Sequence, residues 1–147
     1  MTNHFKDDLS FGEDSEYRFI EAIKHKFHAM YKIGGNFKPY DVVGIKHDGK
    51  LVTFEVKHER LYNDTGNVAI EIACNGKPSG LASTKSTYWV VELDDGFWYC
   101  DTDKLYNTVF LMGDYDFQVK SGGDGNSAKM ALMRGSDFKE FFTKISL

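Results

Sequence analysis

Asp41, Glu55 and Lys57 are the residues in this chain whose types and spacing could do chemistry. In the run Leu51-Val52-Thr53-Phe54-Glu55-Val56-Lys57, polar residues at 53, 55 and 57 alternate with apolar ones at 52, 54 and 56. A strand patterned this way buries one face and sets the Glu55 carboxylate beside the Lys57 amine on the other. If Asp41 joins that face, two carboxylates lie about 4 to 5 Å apart at their Cβ atoms and repel unless a cation sits between them. Oxygen ligands select a hard ion. Magnesium fits best, with manganese as its substitute, because it binds through one or two carboxylates, keeps several waters and completes its shell with phosphate oxygens. Such an ion activates a water and steadies a leaving oxygen, and a neighbouring lysine orients that water or neutralises transition-state charge.

Two strand-like segments must position this set: 41–46 (DVVGIK) and 51–57 (LVTFEVK), joined through His47-Asp48-Gly49-Lys50. Two hairpin registers compete. A three-residue loop, His47-Asp48-Gly49 with Gly49 left-handed, pairs Lys46 with Lys50 and puts Asp41 opposite Glu55. A two-residue Asp48-Gly49 loop pairs Asp41 with Val56 and turns it to the other face. The three-residue loop is the expectation, because it gathers two carboxylates and a lysine.

Ahead of the hairpin, residues 14–30 have the spacing of an amphipathic helix, with Phe19, Ile20, Ile23 and Phe27 on one face and Ser15 or Asp14 as cap. Glu16 shares that apolar face, and Glu21 points to solvent. A turn at Gly34-Gly35-Asn36 follows the helix. Beyond the hairpin the pattern predicts strands at 67–73 and 86–93, then FWYCD after an Asp94-Asp95-Gly96 turn. A short helix with Leu105, Tyr106 and Val109 comes next, then strands at 117–120 and 129–133 around a glycine-rich loop at 121–127. A terminal helix carries Phe138, Phe141, Phe142 and Ile145 behind a Ser136 or Asp137 cap. The class is mixed α/β or α+β, a central mixed sheet flanked by helices.

With 147 residues, 41% hydrophobic and 15% aromatic, the chain is expected to form a single domain, residues 1–147, around one sizeable core. No run approaches the roughly 20 apolar residues that span a bilayer, and the N-terminus lacks a leader pattern, so a soluble cytoplasmic protein with no membrane partner is expected. Cys74 and Cys100 form no CxxC and are expected as free buried thiols. His25, His28, His47 and His58 show no zinc spacing and are assigned to the surface. The net charge of −4 argues against holding nucleic acid by bulk electrostatics, but not against an enzyme that gathers carboxylates for a metal which then meets phosphate.

Pro39-Tyr40-Asp41, thirteen intervening residues, then Glu55-Val56-Lys57 on a strand, preceded by a helix carrying Glu16, resembles the PD-(D/E)XK nuclease core of restriction endonucleases and archaeal Holliday-junction resolvases. Tyr40, between Pro39 and Asp41, departs from the strict motif at a lenient position. The resemblance implies a restriction-endonuclease-like core in which Asp41, Glu55 and the Val56 carbonyl ligate the metal, Glu16 contributes directly or through water, and Lys57 assists the attacking water. Glu16 has a bland alternative as partner of a buried lysine. More loosely, Glu71, Lys77-Pro78-Ser79-Gly80, Lys85 and the Gly122-Gly123-Asp124-Gly125 loop are similar to resolvase-like nucleases of bacterial viruses. Ser79 and Lys85 are thus candidates to grip phosphate, and Glu71 a further substrate-side candidate. Glu59 is a candidate outer residue of the same site.

The expected activity is metal-dependent endonucleolytic hydrolysis of DNA, branched or duplex, with junction resolution requiring a homodimer. The Phe-rich terminal helix would either form that interface or cap the core. The alternatives are an exonuclease or repair nuclease on the same core, and a catalytically silent nucleic-acid-binding or anti-defence protein that kept the fold.

Overall fold

The computed structural model describes residues 15–35, 39–59, 62–112, 118–121 and 128–147. Asp14, Asn36, Phe117 and the glycine-rich loop at 122–127, all drawn on above, lie outside the described residues.

A helix over 15–23 (α1) leads into a 3-10 turn, Lys24–Lys26, and then a strand, β1 (Ala29–Lys32). The expected helix to residue 30 therefore ends early. Phe27 satisfies the helical spacing but is extended, and its ring packs beneath Gly44, where a Cβ would lie 3.0 Å from it. The same core is reached from a strand lead-in instead of a fourth helical turn. The hairpin follows as β2 (Val42–Ile45) and β3 (Leu51–His58). A short helix, α2 (Tyr62–Thr65), precedes β4 (Asn67–Cys74), β5 (Lys77–Pro78) and a 3-10 turn, Gly80–Ala82. Then come β6 (Tyr88–Leu93), β7 (Gly96–Asp101), α3 (Thr102–Asn107) with a π-helical extension Thr108–Met112, β8 (Gln118–Ser121), β9 (Lys129–Arg134), α4 (Gly135–Phe141) and β10 (Thr143–Lys144).

These strands form two sheets. One is six-stranded and mixed, in the order β1-β2-β3-β6-β7-β10; the other is four-stranded, in the order β5-β4-β9-β8. Neighbours are antiparallel except β3 and β6, which run parallel and so need a long crossover, supplied here by α2, β4, β5 and the 3-10 turn. The fold is α+β, with a central mixed sheet flanked by helices as expected. The second sheet is an addition to that expectation.

Each face of the six-stranded sheet covers its own core. On one face, Phe19 and Ile23 of α1 pack on Val42, Phe54, Val56, Val90 and Phe97. On the other, Trp89, Val91, Trp98 and Cys100 meet Val68, Ile70, Ala131 and Met133 of the second sheet, with Leu105, Phe138 and Phe142 closing the layer. The central strand β6 is covered on both sides, and Trp89, Val90 and Val91 are consecutive buried residues, the pattern of a strand sandwiched between layers. Phe138 and Phe142 are nearly fully buried, so the terminal Phe-rich segment caps the core. Its helix stops at Phe141, and Ile145 joins the opposite core from beyond β10. Cys74 and Cys100 are free thiols, Cys74 half-buried and Cys100 buried. Among the described residues no helix is long and apolar enough to cross a membrane.

Candidate active site

The hairpin register brings the chemistry together. Val42 pairs with Phe54 and Ile45 with Leu51, and Lys46 N–H donates to the Lys50 carbonyl at 2.9 Å. Gly49 sits at φ +84°, the left-handed conformation that closes a three-residue loop, and Asp48 Oδ1 accepts from the Lys50 N–H at 3.0 Å. The ladder ends at Val42 and Phe54, and Asp41, just before it, comes near enough to Glu55 to act on it through its charge and a side-chain hydrogen bond. The Asp41 backbone is fastened on both sides: its N–H donates to the Phe54 carbonyl at 2.9 Å, and its carbonyl accepts from Ile33 N–H at 2.8 Å.

Where β2 stops, the side chain of Asp41 takes over the ladder. Its Oδ2 accepts from the Val56 N–H at 2.8 Å, and the residue is 4% exposed. The Val56 carbonyl leaves β3 by the same edge as its N–H, toward Asp41. Glu55 and Lys57 stand on the face turned to the second sheet, with Lys57 Nζ 3.3 Å from Glu55 Oε2 and 5.7 Å from the centre of the Trp89 ring. Thr84 Oγ1 donates to Glu55 Oε1 at 3.0 Å.

The electrostatics follow from this packing. Burial pushes the Glu55 carboxyl up to about 7; the Lys57 charge opposes the shift, and the nearby Asp41 adds to it through its charge and a hydrogen bond. Lys57 loses solvation by burial, which alone would lower its proton affinity, yet Glu55, Asp41 and Glu71 hold it above the usual lysine range. A buried carboxyl raised by desolvation and by a neighbouring aspartate, with a single amine against it, has room for more positive charge. Asp41, Glu55 and the Val56 carbonyl are the oxygens that could hold a hard divalent cation, which needs only one or two protein carboxylates.

Glu16 lies elsewhere. Lys32 pairs with Val42 on the α1 side of the sheet, and Lys32 Nζ reaches Glu16 Oε2 at 3.7 Å, both side chains largely buried. This is the lysine-partner arrangement. Among the described residues no three His, Cys, Asp or Glu side chains gather closely enough to form a ready-made metal site.

Glu71, on β4, faces Lys57 across a cleft of about 300 Å³ that also takes in His58, Glu59, Ala69, Val91 and Met130. Glu59 Oε2 accepts from the Ala69 N–H at 2.8 Å and so ties the end of β3 to β4. Gly80 packs on the Glu71 backbone so closely that a Cβ would lie 2.3 Å from its carbonyl oxygen, and its φ of +54° also favours glycine. Ser79 donates its N–H to Ile72 at 3.2 Å, with its hydroxyl shielded from solvent, while the exposed Lys85 meets the site's approach only through its N–H, 2.9 Å from the Pro39 carbonyl. His58 corrects the surface assignment: its side chain is 13% exposed and lies 3.8 Å from Glu92 Oε1 on the α1 face.

Thr84 is the contact sequence reasoning passed over. It lies in Ser83-Thr84-Lys85-Ser86-Thr87, a run of small hydroxyl residues whose density was the available signal.

The sequence matches no family model and no curated protein. In three dimensions the chain is similar to a solved bacterial homing endonuclease, I-Ssp6803I, at a TM-score of 0.50 and 18% identity, over 65% of this chain and 70% of that one. At that identity the likeness is one of fold alone.

Proposed function

We propose that this chain is a metal-dependent endonuclease of the PD-(D/E)XK kind that hydrolyses DNA phosphodiester bonds. The observation that carries the reading is the closeness of the Asp41 and Glu55 carboxylates, with Lys57 beside Glu55 on the same face of β3. Magnesium, or manganese in its place, would be held by Asp41, Glu55 and the Val56 carbonyl. It would supply Lewis acidity toward a phosphate oxygen and lower the pKa of a bound water. Lys57, kept cationic by three carboxylates, is suited to orient the attacking water and offset charge on the phosphoryl oxygens. Glu71 and the cleft beside it offer a second wall against which substrate is placed. The fold likeness to a homing endonuclease supports DNA as the substrate class. The resemblance to junction resolvases favours a branched substrate, cut by a homodimer.

The test is cleavage of labelled four-way junction, linear duplex, single-stranded DNA and RNA, with magnesium, with manganese and with chelator, comparing wild type with Lys57→Ala. Metal-dependent cutting that the variant loses, strongest on the junction, is the expected result. Cutting of duplex alone would keep the nuclease and remove the junction preference. Binding without cutting, indifferent to chelator, would establish the nucleic-acid-binding alternative instead.

A further inference from the structure

A line of three hydroxyls ends on Glu55. Thr102 Oγ1 lies 3.0 Å from Ser86 Oγ, Ser86 Oγ lies 3.1 Å from Thr84 Oγ1, and Thr84 Oγ1 reaches Glu55 Oε1 at 3.0 Å. Ser86 and Thr102 are buried, at 7% and 5% exposure, in positions where alanine and valine would satisfy an apolar core. Each hydroxyl carries one proton, so the acceptor of the Thr84 proton can be worked out. The Ser86 N–H donates to Thr84 Oγ1 at 3.2 Å, and the Thr84 proton must go to one of three acceptors. Glu55 Oε1 is the nearest and the only charged one; Ser86 Oγ is at 3.1 Å and the Pro39 carbonyl at 3.3 Å. A bond to an ionised carboxylate outcompetes neutral ones, so the Thr84 proton goes to Glu55, with Ser86 and Thr102 behind it in the line of hydroxyls.

The same segment grips the other half of the site. Lys85 N–H donates to the Pro39 carbonyl at 2.9 Å, two residues before Asp41, while Thr84 holds Glu55. Glu55 is thereby fastened at both oxygens, Oε1 by Thr84 and Oε2 by Lys57, against its repulsion by Asp41. Remove the hydroxyl and Oε1 loses its fixed donor, leaving the carboxylate plane to the 3.3 Å contact of Oε2 with Lys57 and the hydrogen bond with Asp41.

We propose that Thr84, backed by Ser86 and Thr102, is the positioning residue that sets the carboxylate plane of Glu55 and its separation from Asp41. The proposal rests on the nuclease reading for its consequence and on the hydroxyl geometry for its content.

Three measurements on the full chain test it, using wild type, Thr84→Val, Thr84→Ser and Ser86→Ala. Three-bond couplings of the Glu55 side chain should show one dominant rotamer in wild type and Thr84→Ser and averaging in Thr84→Val. Manganese affinity, followed by its paramagnetic signal, should fall about 10- to 100-fold in Thr84→Val, with kcat falling by a similar factor at nearly constant KM. Both should return in Thr84→Ser, which a role in packing alone would not produce. Ser86→Ala should show the same changes in smaller measure, and it carries the test if Thr84→Val does not fold. Identical Glu55 rotamers in wild type and Thr84→Val, or a loss in Thr84→Val that serine leaves unrepaired, overturns the proposal. If wild type neither cuts nor binds manganese, the nuclease reading falls, and the rotamer comparison still decides whether Thr84 positions Glu55.

Discussion

Glu55 and Glu92 sit on adjacent parallel strands of one sheet, with side chains equally withdrawn from solvent, 13% and 12% exposed, yet they titrate in opposite directions. Burial raises both. For Glu92, on the α1 face, a two-pronged contact from Arg18 overrides it, Nε at 2.8 Å and Nη2 at 2.6 Å, helped by Ser15 and His58, and the carboxyl ends below its ordinary range. For Glu55, on the face turned to the second sheet, one lysine amine and one hydroxyl are set against a neighbouring aspartate, and the carboxyl ends at about 7. Burial acts on both, more heavily on Glu55, and the positive charge set against it is the larger on the Glu92 face. On the α1 face the fold neutralises its buried acid. On the other it leaves a pair of acids short of cation, the condition expected of a site that recruits one.

The sharpest way to break this contrast is to remove each charge in turn at constant shape. On the proposed function, Glu55→Gln should lower single-turnover DNA cleavage roughly a thousandfold or more while leaving a folded protein, because it removes a carboxylate proposed to hold the metal. Glu92→Gln should leave the cleavage rate of the folded fraction unchanged and lower thermal stability, because it empties the partner of Arg18. Equal kinetic losses in the two variants would erase the distinction between the faces.

Next in size is the pH dependence of stability in chelator. Glu55 has its folded-state affinity for protons raised from 4.5 to about 7, so its contribution favours the folded state below the unfolded value and is lost as pH rises through the folded one. Metal-free wild type should lose on the order of 3 kcal/mol between about pH 4.5 and pH 7.5 from this group. Glu55→Gln should be flatter over that window in urea unfolding. Magnesium should restore wild type at the upper end and do little for the variant. A wild-type curve as flat as that of Glu55→Gln would show that Glu55 bears no such strain.

Much of the candidate site's hairpin geometry was legible because it is local. Asp41 comes near Glu55 through a hairpin whose loop chemistry, Asp48 accepting from the Lys50 N–H and Gly49 left-handed, is written in five consecutive residues. The period-two alternation of β3 likewise needs no partner to be read. The contributions that escaped notice come from distant segments. β4 reads as a strand, but its partner β9 lies more than fifty residues on, and nothing in either segment names the other, so the second sheet went unseen. Phe27 and Ile145 fit helical spacing and do reach the core, yet from extended chain, because a buried position reports that a residue points inward and not which backbone brings it there. β1 and β10 are short edge strands whose existence rests on pairing with β2 and β7 more than on their own composition. Thr84 looked like ordinary loop, since its meaning depends on Glu55, twenty-nine residues away.

The smallest expected effect addresses what distinguishes the two acids' cations. Arg18 clasps Glu92 with two parallel donors, whereas Lys57 offers Glu55 a single point of charge. Arg18→Lys keeps the charge and removes the fork, making the Glu92 site resemble the Glu55 site. Arg18 is 39% exposed, so solvent screening limits the loss to about 1 kcal/mol at neutral pH. The sign on acidification follows from the depressed carboxyl: the stability that Glu92 contributes is present above its unfolded value and disappears as pH falls through its folded one. With the fork gone the depression shrinks, so Arg18→Lys should converge on wild-type stability as the pH is lowered past both values. Urea unfolding at neutral and acidic pH measures this directly. A difference that persists undiminished in acid would mean that Arg18 stabilises α1 through its packing, and that the two-pronged hydrogen bond is not what sets Glu92 apart from Glu55.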